Sequence, residues 1–165
     1  MTTRRRVMAW HFTGATLRGG QPIPRYGVWL RHEGRVAMCE SGLHASRRIL
    51  DALSYAPGSS IHRVEVAEIV VEQDDKLVCR RRKIVGSLSA DAGDRVLRAF
   101  ARYCARSVLH LWAAPDVVVR YLKTGDESLR VAARAAAGVT AGGAAGVAAW
   151  AAAGVTAGGA AGVAA

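Results

Sequence analysis

The sequence predicts an α+β fold: a small, mainly antiparallel sheet followed by helices, ending in a Gly/Ala-rich helical repeat. Three observations predict it. Apolar residues alternate with period two only in the first half, they step by three and four only in the second, and the last 31 residues carry no charge at all. Strands gathered in one run and helices in the next argue for segregated layers rather than alternating βα units.

Taken in order, Val7 to Phe12 is a short apolar run ending at Gly14 and reads as the first strand. Residues 13–27 hold Gly14, Gly19, Gly20, Gly27, Pro22 and Pro24, which makes them a loop. Val28–Leu30 and Val36–Cys39 are expected to pair as a hairpin around Glu33-Gly34. Ser46 stands before a helical stretch with Ile49, Leu50 and Leu53 on one side, stopped by Pro57-Gly58. From Ile61 to Val71, Val64 and Val66 alternate with Arg63 and Glu65, the pattern of a half-buried strand. Gln73-Asp74-Asp75 turns the chain into another strand, Leu77 to Val85.

The longest helix is predicted from about Ala90 to Trp112. Leu97, Phe100, Cys104, Val108 and Leu111 form an apolar stripe on it, and Arg95, Arg98, Arg102 and Arg106 a basic one. At 100° per residue the two stripes are centred roughly 150° apart. Pro115 begins a further helix, Asp116 to Lys123, which Gly125 closes; Asp126 then caps a helix entering the tail. The domains expected are a basic globular part, 1–125, and an Ala/Gly-rich tail, 126–165.

The tail is an internal repeat: AAAGVTAGGAAGVAAW at 135–150 recurs as AAAGVTAGGAAGVAA at 151–165. Gly138, Gly142, Gly146, Trp150, Gly154, Gly158 and Gly162 stand every fourth residue, the spacing of one helical groove that a second backbone can approach closely. Its glycines cost roughly 1 kcal/mol each relative to alanine, so the helix needs packing, and self-association through this row is expected. The stretch is long enough to cross a bilayer, but it contains no Leu, Ile or Phe to drive insertion. A membrane tether is therefore kept as an alternative.

All 23 basic and 13 acidic residues precede the repeat that starts at Ala135, so the first 134 residues carry the whole net charge of +10. That balance favours an acidic partner, an acidic protein face or nucleic acid. The candidate basic face comprises Arg80, Arg81, Arg82 and Lys83 with Arg95, Arg98, Arg102 and Arg106; aromatic interleaving there is thin, with Tyr103 alone beside the helix arginines. Cys39, Cys79 and Cys104 are an odd set without CxxC spacing, expected as thiols packed like small hydrophobes in a reducing compartment. No signal-length apolar run follows the N-terminal arginines, which points to the cytoplasm, that of the host cell if the chain is phage-encoded. Cys39 and His44, with His11 or His32, have no spacing that forces metal geometry, and no metal is expected.

The stretch MCESGLHASRRILDALSY at 38–55, with AWHFTG before it and PDVVVRYLKTGDESLRVAARAAA after it, resembles a family of uncharacterised phage, prophage and bacterial proteins. The resemblance covers about residues 8–134, implies a phage-related accessory protein and transfers no catalytic residue. Related tails are charged and solvated, whereas this one is not. A looser likeness links His11-Phe12-Thr13, Gly42-Leu43-His44-Ala45-Ser46 and Ala52 to Tyr55 with ADP-ribosyltransferases. That likeness implies His11 on a nicotinamide ribose, Tyr55 stacked on nicotinamide, Glu65 or Glu68 as the polarising acid, and NAD as cofactor. The function expected from the sequence is binding and assembly without catalysis, with the NAD-using enzyme as the alternative in another class.

Overall fold

The structure, a computed structural model, describes residues 6–140. Its strands are β1 (Val7–Thr13), β2 (Trp29–Arg31), β3 (Leu43–Ala45), β4 (Ser60–Glu72) and β5 (Leu77–Leu88), and its helices are α1 (Ile49–Leu53), α2 (Ala90–Ser107), α3 (Asp116–Thr124) and α4 (Arg130–Thr140). All pairings are antiparallel, in the order β1-β4-β5-β2, with β3 also on β5. This is the expected α+β class. The chain parts into two compact units, one ending at Gly93 and one starting at Asp94.

The first unit is organised by the long β4–β5 hairpin. On one side β4 pairs with β1, Val7 opposite Val66 through Thr13 opposite Ser60. The free side of β5 is shared: Trp29–Arg31 take Lys83–Arg81, and Leu43–Ala45 take Cys79–Leu77. Immediately after β3, Ser46 bridges back to β1, with Trp10 N donating to Ser46 O at 2.7 Å and Ser46 N to Trp10 O at 3.0 Å. The strand path β1-β4-β5-β3 thus returns to β1, and the sheet curls round its own interior. Inside lie Val7, Ala9, Ala45, Val64, Val66, Leu77, Cys79 and Ile84. Each large side chain among them contributes about 1.5–3 kcal/mol by leaving water. Two register shifts mark the hairpin: Val85 is the extra residue in β5 opposite Arg63 and Val64, and Val70 the extra residue in β4 between Ile69 and Val71, and a bulge of this kind bends the strand that carries it.

One local expectation is corrected. Residues 36–39 form no strand with 28–30; Trp29–Arg31 instead joins β5, a longer partner with open backbone groups. The helix expected after Ser46 is α1, with Arg48 at its start, and the Ser46 backbone is paired with Trp10.

In the second unit α2 is turned differently from its apolar stripe. Leu97 and Ala105 are buried and Ala101 packs on the Val118–Tyr121–Leu122 cluster, while Phe100 and Leu111 are 39% and 65% exposed. Small residues at 101 and 105 admit a close neighbour, and the adjoining Arg98 and Arg102 find partners described below. Gly125 ends α3 in the left-handed region at φ 70°, as expected, and the Asp126 side chain accepts from Ser128 N at 2.9 Å. Cys79 is buried, but Cys39 and Cys104 are exposed, so only Cys79 is a packed thiol; burial pushes it up to about 11. Among the described residues no helix is long and apolar enough to cross a membrane. Of the glycine row only Gly138 is described, on α4; the expected packing through Gly142, Gly146, Trp150, Gly154, Gly158 and Gly162 lies outside the described residues.

Candidate functional site

Strand alternation divides the run Arg80 to Lys83. Arg80 Nη1 donates to Gly34 O at 2.8 Å, pinning the loop before β3. Arg81 and Lys83 lie on the outer face, where their cations stand 4.6 and 4.8 Å from the centre of the Trp29 ring. Arg82 points the other way, is 6% exposed, and donates through Nη1 to the His44 carbonyl. The basic stripe of α2 divides too. Arg95 and Arg106 are exposed, whereas Arg98 is paired with Asp94 at 3.6 Å and Glu127 at 3.3 Å. The Arg102 guanidinium rests 2.7 Å from where a Cβ on Gly125 would stand, at the electronegative C-terminus of α3. Within each unit, therefore, the basic residues singled out in the sequence part company: Arg82 is buried away from Arg81 and Lys83, and Arg98 is ion-paired while Arg95 and Arg106 are exposed.

Two other groupings emerge. On the outer face a row crosses four strands, Met8, Glu65, Lys83 and Trp29, each opposite the next. Lys83 Nζ meets Glu65 at 2.6 Å and Arg6 meets it at 3.3 Å; the Lys83 ammonium holds the Glu65 carboxyl below the usual range. Arg6 lies 5.8 Å from the Trp29 centroid, and beside this row Arg63 lies 4.6 Å from that of Trp10. Sequence reasoning missed both tryptophans because their cations come from other strands.

The second grouping is interior. His11 on β1 faces His62 on β4, whose ring nitrogens are held by Thr13 Oγ1 at 2.9 Å and Ser87 Oγ at 2.7 Å. His44 Nε2 accepts from Cys39 N at 3.0 Å, and the Gly42 turn before it has no room for a side chain: at φ 105° a Cβ would stand 2.6 Å from Val78. Burial, then the nearby Arg82 charge and the other two imidazoles, lower His11 well below its usual value. Burial and Arg82 also lower His62, and burial leads the lowering of His44. Burial brings Arg82 itself down to about 10.

The ADP-ribosyltransferase set is not assembled. His11 shares the inner face with Ala9 and Val64, whereas Glu65 is on the outer face in its ion pairs. Tyr55 lies at the far end of β5, its hydroxyl on the Asp75 carboxylate and its ring 4.7 Å from the Lys76 ammonium. Lys76 immediately precedes β5 and Lys83 lies seven residues further along it, which separates Tyr55 from Glu65 by roughly 20 Å. Glu68 belongs with Arg81, 3.8 Å away. Among the described residues no group of three His, Cys, Asp or Glu side chains is placed to hold a metal.

A protein-family model described as Domain of unknown function (DUF7666) matches residues 7–93. The chain belongs to this family. The DUF7666 domain coincides with the first compact unit, so it contains both the Trp29 face and the Arg82 interior and leaves out the arginines of α2. No curated protein and no solved structure gives a match.

Proposed function

We propose that this is a phage- or prophage-type accessory protein that acts by binding rather than catalysis. In this reading the DUF7666 domain recognises single-stranded nucleic acid with the outer face of its sheet, and the repeat tail associates copies of the chain in the host cytoplasm. One observation carries the binding part: Trp29 is ringed by the cations of Arg6, Arg81 and Lys83, with Trp10 under Arg63 at the third strand along. Bases stack on indole, a contribution of about 1–3 kcal/mol per base, while neighbouring cations take the phosphates. Antiparallel pairing supplies the spacing, because the residues of one face recur every second position on each strand.

The charge on this face limits the affinity. Arg6, Arg63, Arg81 and Lys83 are offset by Glu65 and Glu68, a surplus of two cations. With about 0.7 counterions released per phosphate of a single strand, log K should fall against log salt with a slope of about −1.4. The test is fluorescence anisotropy of a labelled single strand against the full chain at several salt concentrations. Trp29→Ala should weaken binding at least about fivefold, the loss of one stacked base, and Arg106→Ala should leave it unchanged. Binding that is absent, or indifferent to Trp29→Ala, overturns the reading.

A further inference from the structure

Among the described residues, the interior of the DUF7666 domain holds a positive charge that no carboxylate side chain matches. Arg82 pairs with no carboxylate among the described residues; its protein acceptor is the uncharged His44 carbonyl. Every Asp and Glu of the sequence lies between Glu33 and Glu127, within the described part, so the missing partner is not a side chain elsewhere in the chain. A buried guanidinium is tolerated when an anion meets its donor fork, and otherwise costs several kcal/mol.

What surrounds Arg82 is equally one-sided. Imidazoles come from three strands: His44 on β3 belongs to the residue whose carbonyl Arg82 meets, His62 on β4 shares the inner face with Val66, which stands opposite Arg82, and His11 on β1 stands opposite His62. His62 is locked by Thr13 and Ser87, which fixes its ring as part of the wall. No group among the described residues hydrogen-bonds the His11 ring, and His11 as a residue is half-buried, between the covered interior and the surface. The Gly42 turn brings the β3 backbone, with the carbonyl that orients Arg82, close against Val78.

We infer that this interior is a binding site for one phosphoryl group, with the Arg82 fork as its counter-charge and the His11 ring as the donor at its mouth. Arginine presents parallel N–H donors that fit a carboxylate or a phosphate equally. The neighbouring imidazoles choose between them. A carboxylate carries one charge, which Arg82 alone neutralises. A phosphate monoester carries about −1.5 to −2 at neutral pH, and the remainder is met by a proton taken up on His11. The inference stands apart from the nucleic-acid reading, since Trp29 and Arg82 are on opposite faces of the sheet.

The experiment titrates the full chain, in cacodylate-free, phosphate-free buffer, with inorganic phosphate, methyl phosphate and acetate, following the histidine ring signals by NMR. Saturable movement of the His11 signal with inorganic phosphate and not with acetate is expected. Methyl phosphate acting as well as inorganic phosphate assigns the site to an esterified ligand; inorganic phosphate alone acting assigns it to the free ion, and the phosphoryl site stands either way. Arg82→Met should abolish the movement, and His11→Gln should weaken binding by about tenfold, the loss of one charge-assisted bond. No saturable response in the wild type overturns the inference, as does an equal response to acetate. Undiminished binding in His11→Gln overturns it as well, and that variant keeps the test decisive if Arg82→Met does not fold. Trp29→Ala should leave the phosphate response intact, so the two readings fail separately.

Discussion

Replacing Arg82 with methionine separates a residue kept for a ligand from one kept for the fold. Burial brings the guanidinium down to about 10. At about 1.4 kcal/mol for each tenfold, holding that charge inside costs the empty protein roughly 3 kcal/mol relative to an ordinary arginine. Arg82→Met removes this cost and fills most of the same volume. It also removes the donor on the His44 carbonyl, a charge-assisted bond that contributes about 1.5–3 kcal/mol. The two nearly cancel, so the variant should unfold within about 1.5 kcal/mol of the wild type. The assay is equilibrium denaturation of both full chains in phosphate-free buffer, repeated with phosphate at a hundred times its dissociation constant. Phosphate should stabilise the wild type by about 2.7 kcal/mol and leave Arg82→Met unmoved. An arginine completing a structural ion network behaves otherwise: truncating it costs about 3–5 kcal/mol without any ligand. A loss of that size in phosphate-free buffer would refute the reasoning.

Four further outcomes are expected. A Cβ on Gly93 would stand 1.7 Å from the Ser59 carbonyl oxygen. Gly93→Ala should therefore lower stability by about 1–3 kcal/mol despite the better helix propensity of alanine, as read by thermal unfolding. Gly86→Ala, whose nearest neighbour would be Arg63 Cβ at 3.6 Å, should stay within about 0.5 kcal/mol. His11, His44 and His62 all titrate below their usual value, chiefly through burial. As pH falls below about 6.5 the unfolded chain therefore binds protons that the folded chain refuses, and stability declines until the folded-state values are reached. Denaturation midpoints between pH 7.5 and pH 5 should show this loss, with a shallower slope in His11→Gln; a flat profile would count against the buried cluster. Finally, Gly125→Ala forces a side chain into the left-handed region and against the Arg102 guanidinium, so it should destabilise by about 1–2 kcal/mol.

Much of the fold is legible in the residues because its signals are local. Val64 and Val66 alternating with Arg63 and Glu65 can only be a strand with one face inside, and Gly125 closes α3 for reasons contained in that turn. The errors fall where a partner distant in sequence decides. Trp29–Arg31 joins β5 rather than the nearer 36–39 because β5 offers a long free edge. Of the Leu97–Leu111 stripe only Leu97 is buried: α2 ends at Ser107, before Val108 and Leu111, and it buries Ala105 and packs Ala101 on the side where Glu127 and the end of α3 meet Arg98 and Arg102. His11 stood out in the sequence through its likeness to an NAD-binding strand. Its actual neighbours, His62 and Arg82, come from strands some fifty and seventy residues later, beyond any local pattern.

The sequence by itself determined the class of this protein: strands before helices, a basic body and an uncharged repeat, each written in periodicity or composition that any window of the chain displays. Only the tertiary structure decided which arginine is buried. Arg80, Arg81, Arg82 and Lys83 are nearly the same in chemistry, and alternation alone says that neighbours diverge without saying which way. The register of β5 against β4, fixed by hydrogen bonds across the sheet, turns Arg82 inward to the histidines and Lys83 outward to Trp29. A one-residue slip would exchange them, because side chains on a strand change face with every step.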